Sequence, residues 1–172
     1  IYFYFMEIYP KYVFQDVTKI DPQVLEGKRL LIFDIDNTLF YSETINTRKD
    51  IIVWFKKTHK KYPCVCFSNS FSIIKRKPFL EDILDCRIYL SNYKKPSKEL
   101  FKEITEHYKV SAKDVAVIGD FHFTDVLFAN INNAISILVK PIGGEKRLSL
   151  MVARVLENFI YSLSDFLYSR RF

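Results

Sequence analysis

Apolar residues fall along this chain in short unbroken runs, separated by stretches in which they recur every three or four positions. Leu30-Leu31-Ile32-Phe33 is continuous and stops at acidic residues, as a strand buried on both faces does. Similar runs recur at 64–67, 87–90, 115–118 and 135–139. Between them, helical spacing links Ile51, Val53, Phe55 and His59, then Leu100, Ile104 and Tyr108, then residues 126–129. Asp21-Pro22 reads as a helix cap followed by proline at the first helical position, opening a short turn through Leu25. Strands alternating with helices predict an α/β fold, a Rossmann-like parallel sheet with right-handed crossovers and helices on both faces. Ligands of such sheets bind beyond the carboxyl ends of the strands, so the residues just after each run decide the chemistry.

With no repeat, low-complexity run or linker, residues 1–172 read as a single domain. Its last part, 146–172, is an amphipathic helical segment, with Leu148, Val152, Val155, Phe159, Leu163 and Phe166 forming one stripe. Arg147, Arg154, Arg170 and Arg171 lie around that stripe. Two readings stand: the stripe packs on the sheet, or its far end rests on an anionic membrane as a peripheral contact.

Composition narrows the classes little further. A 49% hydrophobic and 16% aromatic content excludes general disorder. The formal charge of +6 attracts phosphorylated ligands, nucleic acid or anionic lipid without choosing among them. No apolar stretch reaches the ~18 residues of a transmembrane helix. The segment 1–14 is interrupted by Glu7, Pro10 and Lys11 and lacks the cleavage site of a signal peptide. Cys64, Cys66 and Cys86 are odd in number and lack a second pair to complete a zinc site. They read as buried, reduced thiols of an intracellular protein, cytoplasmic or in a mitochondrial matrix or other organelle.

The strand ends carry the chemistry. The first run leads into Asp34-Ile35-Asp36-Asn37-Thr38-Leu39, two carboxylates and a hydroxyl at alternating positions. Such carboxylates repel, and burying them is costly unless a metal ion or a phosphate reaction uses them. The second run ends in Ser68-Asn69, a hydroxyl followed by backbone amides suited to phosphate oxygens. Lys94-Lys95-Pro96-Ser97 places cations before a helix start, and Gly119-Asp120 with Thr124-Asp125 adds carboxylates for a hard cation such as Mg²⁺. One acid, hydroxyl or lysine after a strand is usually a turn or cap residue. Four such groups in order, each at a different strand end, point to a site.

These motifs resemble the four motifs of the haloacid dehalogenase superfamily. Ile118-Gly119-Asp120 through Thr124-Asp125-Val126-Leu127, Asn130 and Ile137-Leu138-Val139-Lys140-Pro141 further resemble its YqeG-type branch, which includes phosphatidylglycerophosphate phosphatases. Tyr12-Val13 and Ile20-Asp21-Pro22 extend the likeness to roughly residues 10–160. Departures are Phe121 where the branch often has glutamine, His122 where an apolar residue is common, and Ser70 where asparagine is frequent.

The resemblance implies a phosphatase with Asp34 as nucleophile and Asp36 as general acid/base. Mg²⁺ would be held by Asp34, the backbone carbonyl of Asp36 and Asp120, with Asp125 supporting from one layer out. Thr38, Ser68, Asn69 and Lys95 would hold the substrate phosphate, Lys95 rather than Lys94 because it directly precedes the proline. The intervals from Asp36 to Ser68 and from Ser68 to Lys95 are each used up by one crossover of at least ~10–12 residues and its strand, so no large cap domain is expected. An uncapped site suits a phosphate carried by something large, and the expected substrate is the membrane lipid phosphatidylglycerophosphate. The alternatives are a phosphoprotein, a nucleic-acid end or a soluble metabolite, with no specific nucleic acid as partner. A non-enzymatic phospho-accepting module similar to response-regulator receivers is a third class. In receivers the accepting Asp follows a later strand than the acidic pair, whereas Asp34 belongs to the pair.

Other residues have plainer readings. His59 and His107 read as surface or helix-end residues and Trp54 as core. His122, in the motif loop, is a candidate substrate contact, and Lys75-Arg76-Lys77 is either a solvated face or a site for a second phosphate.

Overall fold

A computed structural model describes residues 7–144 together with 151, 152, 155, 156, 159, 160 and 162. Five parallel strands form one sheet: β1 (Tyr12–Phe14), β2 (Leu30–Phe33), β3 (Cys64–Cys66), β4 (Val115–Gly119) and β5 (Ile135–Val139). Their spatial order is β1-β5-β4-β2-β3, with β2 and β4 at the centre. The helices are α1 (Pro22–Leu25), α2 (Lys49–His59), α3 (Ile73–Leu84), α4 (Lys98–Tyr108) and α5 (Leu127–Asn130).

Alternation along the central strands divides the interior into two cores. Leu31 and Phe33 face one side with Ile51 and Phe55 of α2 and Ile73, Leu80 and Leu84 of α3. Leu30 and Ile32 face the other with Leu100, Phe101 and Ile104 of α4 and Phe128 and Ala129 of α5. All four β2 residues are fully buried, and such side chains contribute roughly 1.5–3 kcal/mol each through burial. The Phe33 ring stands edge-on to Trp54 and Phe55 at centroid distances of 6.1 and 5.2 Å, so Trp54 packs against this core.

The sheet departs from expectation at both edges. Residues 87–90 make a single parallel bridge from Ile88 to Cys66, with Tyr89 N–H donating to the Cys66 carbonyl. The Ile88 N–H is taken by a Glu81 carboxylate oxygen at 2.8 Å, and Leu90 is exposed, so the pairing goes no further. The fifth strand is instead β1, paired with β5 in the register Tyr12–Ile137, Val13–Leu138 and Phe14–Val139. Half-exposed Val13 lacks the all-buried pattern that marks the central strands.

Asp21 caps α1 as expected, accepting from Gln23 N–H at 2.9 Å. Helix α3, absent from the expected helical segments, buries Ile73, Arg76, Leu80 and Leu84. The three cysteines are free and buried. Val152, Val155 and Phe159 of the C-terminal stripe are helical and exposed, so at these positions the stripe is not packed on the sheet. Leu148, Leu163, Phe166 and the four arginines lie outside the described residues. Among the described residues no helix is long and apolar enough to cross a membrane.

Candidate active site

The carboxyl ends of β2, β3 and β4 meet at one edge of the sheet. Asp34 follows β2 directly, and its N–H donates to the Ile118 carbonyl at 2.8 Å, which anchors it against β4. Asn37 takes a left-handed backbone with φ 62°, an arrangement to which asparagine is suited, and the chain turns there. Asp120 follows β4, and a π-helical turn from His122 to Val126 carries Asp125 back toward it.

Gly119 makes that return possible. A Cβ at this position would stand 2.2 Å from Asp125 Cγ, so the space beside the strand end belongs to the Asp125 carboxylate. That carboxylate accepts from Phe121 N–H at 3.1 Å and from Lys95 Nζ at 2.6 Å.

Lys95 is the buried cation of the site. Its Nζ donates to Asp34 Oδ1 at 2.6 Å as well as to Asp125 Oδ1. The loop before α4 is held for this purpose by Asn69, whose side-chain amide donates to the Lys95 carbonyl and accepts from Lys95 N–H, both at 2.9 Å. Asn69 thus braces Lys95 through its side chain. Lys94 points outward, with Nζ 3.5 Å from the Phe71 ring centroid.

Burial pushes the Asp34 carboxyl well above the usual carboxylate range; Lys95 opposes that, while Asp125, Asp120 and Asp36 push further upward. Burial alone would lower the Lys95 ammonium, yet the adjoining Asp125 and Asp34 carboxylates raise it. One ammonium beside three carboxylates leaves negative charge uncompensated. Oxygens of Asp34, Asp120 and Asp125 lie within 4.8 Å of one another, a hard-oxygen set that fits a divalent cation. The Asp36 carboxylate is outside this group and the Asp125 carboxylate within it. Thr38, expected on phosphate, is fully buried and donates its hydroxyl to Asp120 Oδ1 at 3.0 Å. Its position is that of a carboxylate support.

The Asp36 carboxylate is turned to the other side of the site. Arg76 grips it with two bonds, Nη1 to Oδ1 at 2.8 Å and Nη2 to Oδ2 at 2.9 Å. Ser68 Oγ donates to Oδ2 at 2.8 Å and Glu43 N–H to Oδ1 at 2.7 Å. Arg76 also donates to the Thr44 carbonyl at 3.0 Å and is almost fully buried. It is therefore neither part of a solvated face nor a free cation for a second phosphate. The overlooked signal was the 73-76-80-84 spacing, which puts Arg76 on the buried face of α3.

His122 likewise corrects its sequence reading. It is buried, with Nδ1 3.0 Å from the Ile8 carbonyl, and Asn130 Nδ2 donates to the Glu7 and Tyr9 carbonyls nearby. The departure from an apolar residue serves to bind segment 7–9 to the β4–α5 connection. His59 is partly buried and His107 exposed, on separate helices away from the carboxylates.

Over residues 5–142 the sequence matches the family described as mitochondrial PGP phosphatase. The chain belongs to that family. It is 27% identical over 150 residues to the probable phosphatase YqeG of Bacillus subtilis (strain 168), covering 86% of each chain. It is 26% identical over 146 residues to phosphatidylglycerophosphate phosphatase 1, chloroplastic/mitochondrial, of Arabidopsis thaliana. That match covers 79% of this chain and 42% of the plant protein. An uncharacterized protein from Listeria monocytogenes serotype 4b shares the fold, with TM-score 0.53 at 18% identity over 69% of this chain and 84% of its own. The protein is a phosphatase of that family, which sets the receiver-like reading aside.

Proposed function

We propose that this phosphatase hydrolyses phosphatidylglycerophosphate to phosphatidylglycerol through an aspartyl-phosphate on Asp34, with Mg²⁺ as cofactor. The observation that carries the chemistry is the Asp34 carboxylate held by buried Lys95 beside Asp120 and Asp125. The lipid substrate is supported by the family match and by the activity named for the Arabidopsis relative. The same relative makes a mitochondrial or plastid location the first to examine.

In the first step an Asp34 oxygen bonds to phosphorus as the bond to the glycerol oxygen breaks, and Asp36 gives its proton to the leaving alkoxide. In the second, water attacks phosphorus, Asp36 takes the water proton, and the bond to Asp34 breaks to release inorganic phosphate. Lys95 and Ser68 position the equatorial oxygens, where placement and charge do most of the work in phosphoryl transfer. Ser68 gives its hydroxyl to Asp36 when no phosphate is present. A phosphoryl group that claims this hydroxyl frees one lone pair of Asp36 Oδ2 for the leaving group, while Arg76 keeps its own bond to that oxygen. Asp34, Asp120 and the Asp36 backbone carbonyl would hold Mg²⁺, which would neutralise charge on the phosphoryl group.

The test compares phosphate release from phosphatidylglycerophosphate in detergent micelles with release from soluble phosphomonoesters, phosphopeptides and 5′-phosphorylated oligonucleotides. The lipid is expected to be the preferred substrate, and preference for another class would replace it. Asp34→Asn is expected to abolish turnover on every substrate with the fold intact; activity within about tenfold of wild type would sink the nucleophile assignment.

A further inference from the structure

Two loops that carry catalytic side chains inward also carry a continuous apolar and basic surface outward. The first runs from Ser68 into α3. Phe71 is 76% exposed and Ile74 66%, with Lys75 exposed beside them. The second precedes α4, where Tyr93 is 48% exposed and Lys94 is exposed next to buried Lys95. Lys94 Nζ lies 3.5 Å from the Phe71 ring centroid, which joins the two loops at the mouth of the site.

Burial explains none of these outer residues. Isolated exposed apolar residues need no explanation, but an aromatic, an aliphatic and a tyrosine grouped at the opening of a catalytic site mark a contact surface. Its charge selects the partner. Residues 68–80 and 86–98 contain no Asp or Glu and hold seven cations, Lys75, Arg76, Lys77, Arg87, Lys94, Lys95 and Lys98. Arg76 and Lys95 are spent inside the site and Lys77 is paired with Glu81, which leaves Arg87, Lys75, Lys94 and Lys98. Aromatic rings and aliphatic tips flanked by ammonium groups match the interfacial layer of a bilayer, where rings sit at headgroup level and cations meet lipid phosphates.

We propose that the lip formed by Phe71, Ile74, Lys75, Tyr93 and Lys94 docks on an anionic lipid bilayer and brings a headgroup phosphate to Asp34 without extracting the lipid. This rests on the lipid reading of the substrate and assigns the membrane contact to the catalytic mouth. Phe71 and Ile74 touch none of the reacting groups, so the surface separates from the chemistry by mutation.

The experiment uses Phe71→Glu/Ile74→Glu and, as a second variant with less effect on packing, Lys75→Glu. Flotation is measured on substrate-free vesicles of phosphatidylcholine with and without phosphatidylserine. Turnover is measured on p-nitrophenyl phosphate, on phosphatidylglycerophosphate in detergent micelles and on the same lipid in vesicles. Wild type is expected to float with anionic vesicles alone. The double variant is expected to lose roughly tenfold in flotation and vesicle turnover while keeping p-nitrophenyl phosphate turnover within about twofold. Equal flotation and vesicle turnover for all three proteins would overturn the proposal. So would a wild type that does not float but forms an oligomer dispersed by the double variant, since the lip would then face a second copy. Failure of wild type on micellar lipid would strike the substrate reading instead, and flotation on substrate-free vesicles is scored independently of it.

Discussion

Asp36 shows how far neighbouring groups can fix the orientation of one carboxylate. Its carboxylate receives two bonds from Arg76, one from Ser68 and one from the Glu43 amide. A planar guanidinium matches a carboxylate through two parallel bonds, which a lysine cannot reproduce. In the proposed mechanism Arg76 is thus a positioning residue for Asp36 as acid/base rather than a contact for substrate. Arg76→Met is expected to lower kcat about 10²-fold, the usual scale of a misplaced general acid, with little change in KM. KM would follow the phosphate contacts proposed for Lys95 and Ser68, side chains the substitution does not alter. Arg76→Lys should recover only part of the loss. Steady-state kinetics on a soluble phosphomonoester decide this, and a rise in KM at unchanged kcat would show that Arg76 binds substrate.

At the scale of elements, the site depends on how closely β4 and the turn after it approach each other. The space a Gly119 side chain would need is occupied by Asp125, whose oxygens are already bound to Lys95 and the Phe121 amide. Gly119→Ala therefore displaces a carboxylate that has no second place of equal quality. Overpacking of this kind costs about 1–3 kcal/mol. A shift of the Lys95–Asp125 pair by an ångström should lower turnover by roughly 10²-fold. Thermal unfolding and turnover on p-nitrophenyl phosphate measure the two effects, and a variant unchanged in both would mean that Asp125 relocates freely.

For the whole molecule, the sheet brings the Asp34, Asp120 and Asp125 carboxylates together although they come from distant parts of the chain. Their mutual repulsion opposes folding, and a divalent cation bound only by the folded state would offset it. Such binding stabilises by about 2.7 kcal/mol at a hundred times the dissociation constant. Mg²⁺ is expected to raise the thermal midpoint of wild type and a chelator to reverse it. Asp120→Asn should respond to neither. Calorimetry tests this without any assay of activity, and a wild-type midpoint indifferent to Mg²⁺ would mean that the carboxylates do not hold the cation.

Much of this molecule was legible in the sequence. Apolar runs of this length are strands covered on both faces, so β2, β3 and β4 were visible as strings of residues and β5 as a run broken only by Ser136. The residues after them named most members of the site, because the ends of parallel strands share one edge. Edge pairing was different. The strand at Tyr12–Phe14 and the lone bridge at Ile88 depend on which segment reaches a free edge, and half-exposed residues carry no periodic signature of that. Partner choice among charged side chains was also a matter of tertiary structure. The 73-76-80-84 spacing turns Arg76 inward, but nothing local names Asp36 as the group it meets, or tells that His122 bonds inward to Ile8 while Asn69 braces Lys95. Local sequence records where a side chain leaves the backbone; which distant group meets it is decided only when the chain has folded and water is gone from between them.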